Sequence, residues 1–420
     1  MADGNPVRVG IIGCGQMGSG LAHTINNIRG MQVQAIADTL PDRGKNTLLA
    51  MGIPEEKIRF TENPGEAADL IKKGNHIVTP DALLLTGLEQ LDANVEATGV
   101  TDVGARVALS SIEHRKPIIM LNVETDVTIG AYLSHLARKN QALYTVASGD
   151  EPGVCKMLYE QAVLAGFEVV CIGKGKNNPI DYDATPETCA EEAASKDMNP
   201  KILASFKDGT KTMVEMAAVS NATGLLPDVP GMHGPRAELD DLLRTYVPEG
   251  DGGILSRRGT VEYSTGKIAP GIFVVVFSED ARIRKDMKFI TYAEGPYYLL
   301  FRPYHLCDLE TPQSIAEAVL LNEVTVAAES MYSEVATVAK RDIRKGEKIG
   351  GIGSGDIYGR IYIYQEAREL KLIPLGIAGN GVAIRDIRKG ALLTGDNLAP
   401  DPSTLIYQLR EEQDKLMNHG

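Results

Sequence analysis

The stretch GIIGCGQMGSGL at residues 10–21 restricts the fold of this chain more than any other. Residues 7–12, Val-Arg-Val-Gly-Ile-Ile, read as a short buried strand. Gly13, Gly15 and Gly18 fall in a turn and a first helical turn, and residues 21–25 continue as helix. Strand, glycine-rich turn and helix in that order open a parallel α/β sheet. Gly13 permits the tight turn, Gly15 lets backbone approach a pyrophosphate, and Gly18 lets the helix close on the strand. Gln16 and Met17 then occupy the helix start that faces the negative charge. A second strand over residues 33–37 ends at Asp38, placed to accept hydrogen bonds from adenosine ribose hydroxyls, and Arg43 is close enough in sequence to meet a 2′-phosphate. The pattern serves NAD(H) and NADP(H) alike.

A chain of 420 residues has room for about two or three domains with cores of their own. With 43% hydrophobic and 24% charged residues, its composition is that of an ordinary globular protein. No apolar run approaches the roughly 18 residues of a membrane span, and the first strand begins too early for a signal peptide. The expectation is a cytoplasmic protein with no membrane partner. Cys14, Cys155, Cys171, Cys189 and Cys307 show neither Cys-x-x-Cys nor Cys/His metal spacing, which points to reduced thiols. A net charge of −13 and the absence of Trp argue against a nucleic-acid surface, so positive charge for an anionic ligand has to be local.

Further along, residues 91–99 read as a strand whose end, Thr98-Gly99, meets the cofactor. Residues 114–127 supply another, with Asn122 and Glu124 just past its apolar core, and residues 142–154 form a strand breaking into a turn, with Pro152 suited to a first helical position. Ligands of open parallel sheets bind at the carboxyl ends of strands, so Asn122, Glu124, Asp150 and Glu151 share one candidate rim. The acids at 150 and 151 suit a helix N-terminus equally well. Lys174, Lys176, Asn177 and Asn178 follow an apolar strand in a glycine-containing loop that can grip a phosphate or carboxylate, or simply be solvated. Between Thr210 and Pro227 the only charges are Lys211 and Glu215, at i,i+4 on one helix face. On so apolar a helix they read as a structural ion pair or as site chemistry. The Gly/Pro-rich stretch 226–239 reads as a loop able to close over a site, with His233 and Arg236 as contacts. Near the end, Arg-Asp-Ile-Arg-Lys-Gly occurs twice, at 341–346 and 385–390, each copy read as strand, turn and strand after a helix near 312–332.

GCGQMG at 13–18, GKGKNNP at 173–179, DGTKTMVEMAA at 208–218, RPYHL at 302–306 and the paired RDIRKG segments together resemble the homoserine-dehydrogenase-like oxidoreductases that carry a C-terminal SAF (β-clip) domain. Within that group the chain is similar to the 1-deoxy-D-xylulose 5-phosphate reductoisomerase-like enzymes. The resemblance covers nearly the whole chain. It implies an α/β fold of three consecutive domains: a Rossmann dinucleotide-binding domain at 1–150, an α+β substrate-binding and dimerisation domain at 151–332, and a β-rich SAF module at 333–420. It also implies a homodimer and a phosphorylated small-molecule substrate. Asp150, Glu151 and Glu215 correspond to carboxylates that hold Mg or Mn, Lys211 to a general acid or oxyanion stabiliser, and Lys174 or Lys176 to a holder of the remote phosphate, with each acidic spacing one residue away from the family's. Where the family has Asn-Lys, this chain has Asn122-Val123. Three classes of function follow: a reductoisomerase that needs a metal, a dehydrogenase that moves hydride without one, and an NAD-binding sensor. The charged pair on the apolar helix argues against the sensor.

Overall fold

The computed structural model describes residues 4–196 and 198–418. The chain divides into two compact units, residues 1–150 with 306–328 and 402–420, and residues 151–305 with 329–401. Each is composed of stretches distant in sequence, unlike a division into three consecutive spans. The reason lies in specific contacts. Within the first unit Ser148 N donates to Ser314 Oγ at 2.7 Å, which ties 306–328 to the sheet. In the C-terminal helix Leu405–Asn418, Gln413 accepts from Tyr132 N at 2.9 Å and donates to Thr128 O at 3.0 Å. Those two backbone groups are one turn apart, so the Gln413 amide bridges a helical ladder from outside.

The first unit alternates strand and helix: β1 (Val7–Ile12), α1 (Gln16–Asn26), β2 (Met31–Ala37), α2 (Pro41–Ala50), β3 (Ile58–Phe60), α3 (Pro64–Lys72), β4 (His76–Thr79), α4 (Ala82–Thr86), β5 (Ala93–Glu96), α5 (Thr101–Glu113), β6 (Ile118–Met120), α6 (Val123–Asn140) and β7 (Tyr144–Val146). The strands form one seven-stranded parallel sheet in the order β3-β4-β2-β1-β5-β6-β7. The order reverses at β1, between β2 and β5, and that reversal opens the crevice of a Rossmann arrangement outside the strand ends. Val9, Ile11, Ile36, Val95 and Ile119 lie fully or almost fully buried in its core, as strands covered on both faces require. Two expected strands are shorter than read: the one at 91–99 keeps only Ala93–Glu96, and that at 114–127 keeps Ile118–Met120, because Asn122 caps α6 and turns the chain into helix.

The second unit contains α7 (Glu151–Leu164), β8 (Glu168–Gly175), α8 (Pro186–Ser195), α9 (Pro200–Lys207), α10 (Thr210–Thr223), β9 (Leu226–Pro227), α11 (Leu239–Thr245), β10 (Thr260–Ser264), β11 (Ile272–Phe277), α12 (Ala281–Thr291), β12 (Tyr297–Arg302), β13 (Ser333–Ala339) and β14 (Ile357–Ile363). Its mixed sheet runs β12-β11-β8-β10-β9, and β13 pairs antiparallel with β14. The helix expected near 312–332 instead spans Cys307–Ala316, continues to Leu321 as a wider turn, and belongs to the first unit. The two RDIRKG copies pair with each other. Ile343 and Ile387 exchange backbone hydrogen bonds at 2.8 Å, Lys389 N donates to Asp342 Oδ1 at 2.8 Å, and Lys345 N donates to Asp386 Oδ1 at 2.8 Å. The repeat aspartates therefore cap each other's turns rather than merely solvating their own.

Candidate functional site

In the first unit the glycine loop is shaped by contacts a side chain would spoil. Gly13 has φ +90°, and a Cβ there would lie 2.9 Å from Ala97 C and O and from Thr98 N. A Cβ on Gly18 would run into Gly13 O, whereas one on Gly15 meets no protein atom within 4 Å. Gly15 is the N-cap of α1 and is exposed, as are Gln16 and Met17. Open space over a helix N-terminus is what an anion at that point needs.

The other residues read as cofactor contacts divide into two kinds. Asp38 stands at the end of β2, half-buried, and its carboxylate accepts from Cys14 N and Leu40 N, each at 2.8 Å, so it braces the glycine loop. Arg43 lies exposed on the first turn of α2, and the Thr98-Gly99 turn is on the surface. Asn122 is different. It is buried, its Oδ1 accepts from Thr125 N and its Nδ2 donates to Val100 O, each at 3.2 Å. Glu124 follows on the first turn of α6, half-buried. Asp150, the last residue of this unit's main span, is buried and accepts a hydrogen bond from Cys307 Sγ at 3.3 Å.

Glu96 escaped the sequence reading. It ends β5 with no exposed surface. Thr98 donates to its Oε1 from both its hydroxyl and its backbone N. Burial pushes this carboxyl up to about 7 against the pull of Thr98 and Asn122, and Glu124 adds to the rise.

In the second unit the central feature is a buried ion cluster. Lys174 Nζ binds both Glu151 Oε1 and Glu215 Oε2. All three side chains are at least nine-tenths buried. Glu151 begins α7, where an acid suits the helix dipole, and Glu215 sits on α10, whose residues 212–222 are all buried. Lys174 belongs to β8 itself. Burial pulls its ammonium down, but the two carboxylates outweigh it and its pKa stands above the ordinary lysine value. Lys174 thus lies in the strand rather than in the loop expected for it, and its ammonium binds Glu215. Lys211 stands one turn before Glu215, half-buried.

His305, quoted above only within RPYHL, joins this cluster. Its Nδ1 lies 2.8 Å from Pro270 O, which fixes that nitrogen as the donor, and its Nε2 lies 3.3 Å from Glu151 Oε1. Lys176 follows two residues after Lys174 and is also buried. It donates to Phe206 O at 3.0 Å and to Asn178 Oδ1 at 3.1 Å. Burial, reinforced by the Lys174 ammonium, lowers its pKa to about 8. Asn177 is exposed.

The loop with His233 and Arg236 is anchored rather than free to close. The buried Glu262 accepts from His233 N at 3.0 Å, lies 2.6 Å from His233 Nδ1, and accepts from Gly234 N at 3.3 Å. On the loop's other side Gly231 N donates to Ile361 O at 2.8 Å. Glu262 raises the His233 pKa by hydrogen bonding to it. Arg236 is exposed, with Glu238 at 3.7 Å. His233 is therefore engaged by the fold.

The carboxylates Glu151 and Glu215 are the oxygen donors a hard divalent cation prefers. Both belong to a group of side chains whose ligand atoms lie close enough together to hold such an ion, and the ammonium of Lys174 binds both. All five cysteines are free thiols. Among the described residues no helix is long and apolar enough to cross a membrane.

None of the curated proteins matches the chain. Solved structures resembling it include scyllo-inositol dehydrogenase from Lactobacillus casei with bound NAD(H), at 12% identity over 76% of this chain and 90% of that one, TM-score 0.42. A 3-ketoreductase from Actinomadura kijaniata shows 14% identity over 76% and 91%, TM-score 0.38. The 1-deoxy-D-xylulose 5-phosphate reductoisomerase from Zymomonas mobilis, in complex with NADPH, shows 18% identity over 51% and 57%, TM-score 0.36. Residues 149–311, which carry Asp150, Glu151, Lys174, Lys211, Glu215 and His305, match the family described as Oxidoreductase DRL, catalytic domain.

Proposed function

We propose that this chain is an NAD(P)H-dependent oxidoreductase that acts on a small anionic carbonyl compound, with the dinucleotide in the crevice of the first unit and the substrate at the Glu151–Lys174–Glu215 cluster of the second. The observation that carries this reading is the buried ammonium held by two carboxylates inside the region that matches an oxidoreductase catalytic domain. Lys174 supplies positive charge in a site poor in water, where an alkoxide forming from a carbonyl gains most from it. Lys176, with its pKa near 8, both gives and takes a proton near neutrality. Lys211 is a second candidate for the acid.

The resemblance supports a reductoisomerase-like reaction on a phosphorylated ketose such as 1-deoxy-D-xylulose 5-phosphate, in which the carbon skeleton rearranges before hydride arrives. A second reading is favoured by Lys174 standing where that chemistry would place a metal: a metal-independent dehydrogenase of a small hydroxy acid, polyol or homoserine-like compound. The cross-paired RDIRKG repeats support a SAF (β-clip) type for the C-terminal β-rich region. The test is NAD(P)H oxidation against phosphorylated ketoses, hydroxy acids and homoserine, with and without a chelator, and with product skeletons read by NMR. A rearranged skeleton together with loss of turnover on chelation selects the reductoisomerase; an unrearranged product made in chelator selects the dehydrogenase. Absence of dinucleotide oxidation across the panel would overturn both.

A further inference from the structure

Glu96 is a buried acid that the function above does not use. It pairs in register with Ile12, the residue before Gly13, on one side and with Met120 on the other, so its carboxyl lies at the point where the strand order reverses. The two residues after it, Ala97 and Thr98, supply the backbone that fills the space beside Gly13. Glu96 Oε1 is taken by Thr98, while Oε2 is buried without a hydrogen bond. Native folds rarely leave such an oxygen unsatisfied. From α6 it is acted on by Asn122 and Glu124, from β7 it acts on Tyr144, whose hydroxyl donates to Asp126 at 2.9 Å, and in the sheet its register partners are the apolar Ile12 of β1 and Met120 of β6.

Resting on the dinucleotide reading of the first unit, we propose that Glu96 is a positioning residue of the cofactor crevice, which holds the Thr98-Gly99 turn against the glycine loop and takes up a proton when the anionic cofactor binds. The physical cause is like-charge repulsion. A pyrophosphate on the Gly13–Gly18 turn adds negative charge near a buried carboxyl, so binding favours the protonated form. The free protein holds Glu96 near half-protonation at neutral pH, with its carboxyl at about 7, so the uptake is measurable there. If the cofactor raises that value by about one unit, affinity falls about tenfold as pH rises through and beyond neutrality. Glu96→Gln mimics the protonated state, keeping an acceptor for Thr98 and removing the charge.

The experiment is calorimetric titration of the full chain with NADH from pH 6 to 9, in buffers of different ionisation enthalpy so that protons taken up are counted. NADPH is measured in parallel, its 2′-phosphate contribution cancelling between wild type and variant. Wild type is expected to take up a fraction of a proton near pH 7.5 and to lose about tenfold in affinity by pH 9. Glu96→Gln is expected to bind tightly across the range with no uptake from this site. Thr98→Val removes a hydrogen bond that favours the carboxylate, so it moves the midpoint of the wild-type profile upward even if the Gln variant folds poorly. Melting temperature is an independent readout. A carboxyl raised above its unfolded value contributes stability that is complete below about 4.5 and lost as pH rises through about 7. Wild type therefore loses melting temperature relative to Glu96→Gln over that window. Identical proton uptake and pH profiles in wild type and both variants would overturn the inference while leaving the dinucleotide site intact. Absence of NADH and NADPH binding at every pH would overturn the site itself.

Discussion

Glu96 in the first unit and Glu215 in the second are both buried carboxylates, and they are kept from standing as bare charges by different means. At Glu96 burial outweighs the pull of a threonine and an amide and favours the protonated form. Glu215 and Glu151 share the Lys174 ammonium, so a side chain does it. A proton comes and goes with pH and with a bound anion, whereas a lysine on a strand stays. The contrast extends to the sites around them. The crevice of the first unit is made of backbone, with glycines spaced so that nothing blocks an anion. The cluster of the second is made of charges whose balance fails if one is removed.

The most severe test of that contrast removes the shared cation. Lys174→Met leaves Glu151 and Glu215 buried together, which is expected to cost about 3–5 kcal/mol in chemical denaturation and to lower turnover roughly 100-fold or more. Adding Glu151→Gln and Glu215→Gln is expected to restore much of the stability and none of the rate. A Lys174→Met protein with the wild-type midpoint would show that the cluster does not depend on that cation. Gly15→Val tests the other unit. A branched side chain over the start of α1 is expected to weaken dinucleotide binding about 10- to 100-fold, ~1–3 kcal/mol of steric cost, while the denaturation midpoint stays put because no protein atom lies in the way. A lowered midpoint with unchanged affinity would reverse the assignment of that space.

Smaller effects sharpen the picture. If the protonated Lys176 is the acid of carbonyl reduction, turnover falls as pH rises past about 8, approaching tenfold per unit, and Lys176→Gln removes that limb of the profile. A variant that keeps the limb would pass the role to Lys211. Smallest is the C-terminal repeat: Asp342→Ala and Asp386→Ala each delete one cap of the partner turn and are expected to cost about 0.5–1.5 kcal/mol, equally if the two copies are equivalent. Unequal values would show that one turn bears more of the load.

The first unit was largely legible because its signal is local. A strand, three glycines and a helix occupy residues 7–26, and their physics involves neighbours a few positions apart. Even there, it took the fold to show that the Asn122 amide caps α6 through Thr125 and ties back to Val100. Glu96 was hidden for a different reason: an acid at a strand end looks solvated until β1 and β6 are known to flank it.

Residues 210–223 were correctly read as a buried helix with few charges, since apolar composition over fourteen positions leaves little else. The bond from Lys174 to Glu215 was not readable. Lys211 is the sequence neighbour of Glu215 at helical spacing, whereas Lys174 is 41 positions away. Nothing in either segment says that Lys174 of β8 reaches Glu215 of α10. His305 reaches Glu151 across a still longer separation, and the 226–239 loop proved to be held by Glu262 and Ile361.

Residue order alone was enough for the alternation of strand and helix, the glycine loop, the acid at the end of β2 and the internal repeat, because short-range sterics and hydrogen bonding determine each within a few residues. Chain folding over long distances settled the rest: that Lys174 reaches both Glu151 and Glu215, that the RDIRKG copies cap one another, and that residues 306–328 and the helix Leu405–Asn418 complete the first unit. Charge pairing depends on proximity through a low-dielectric interior, and proximity between residues far apart in the chain is created by the fold.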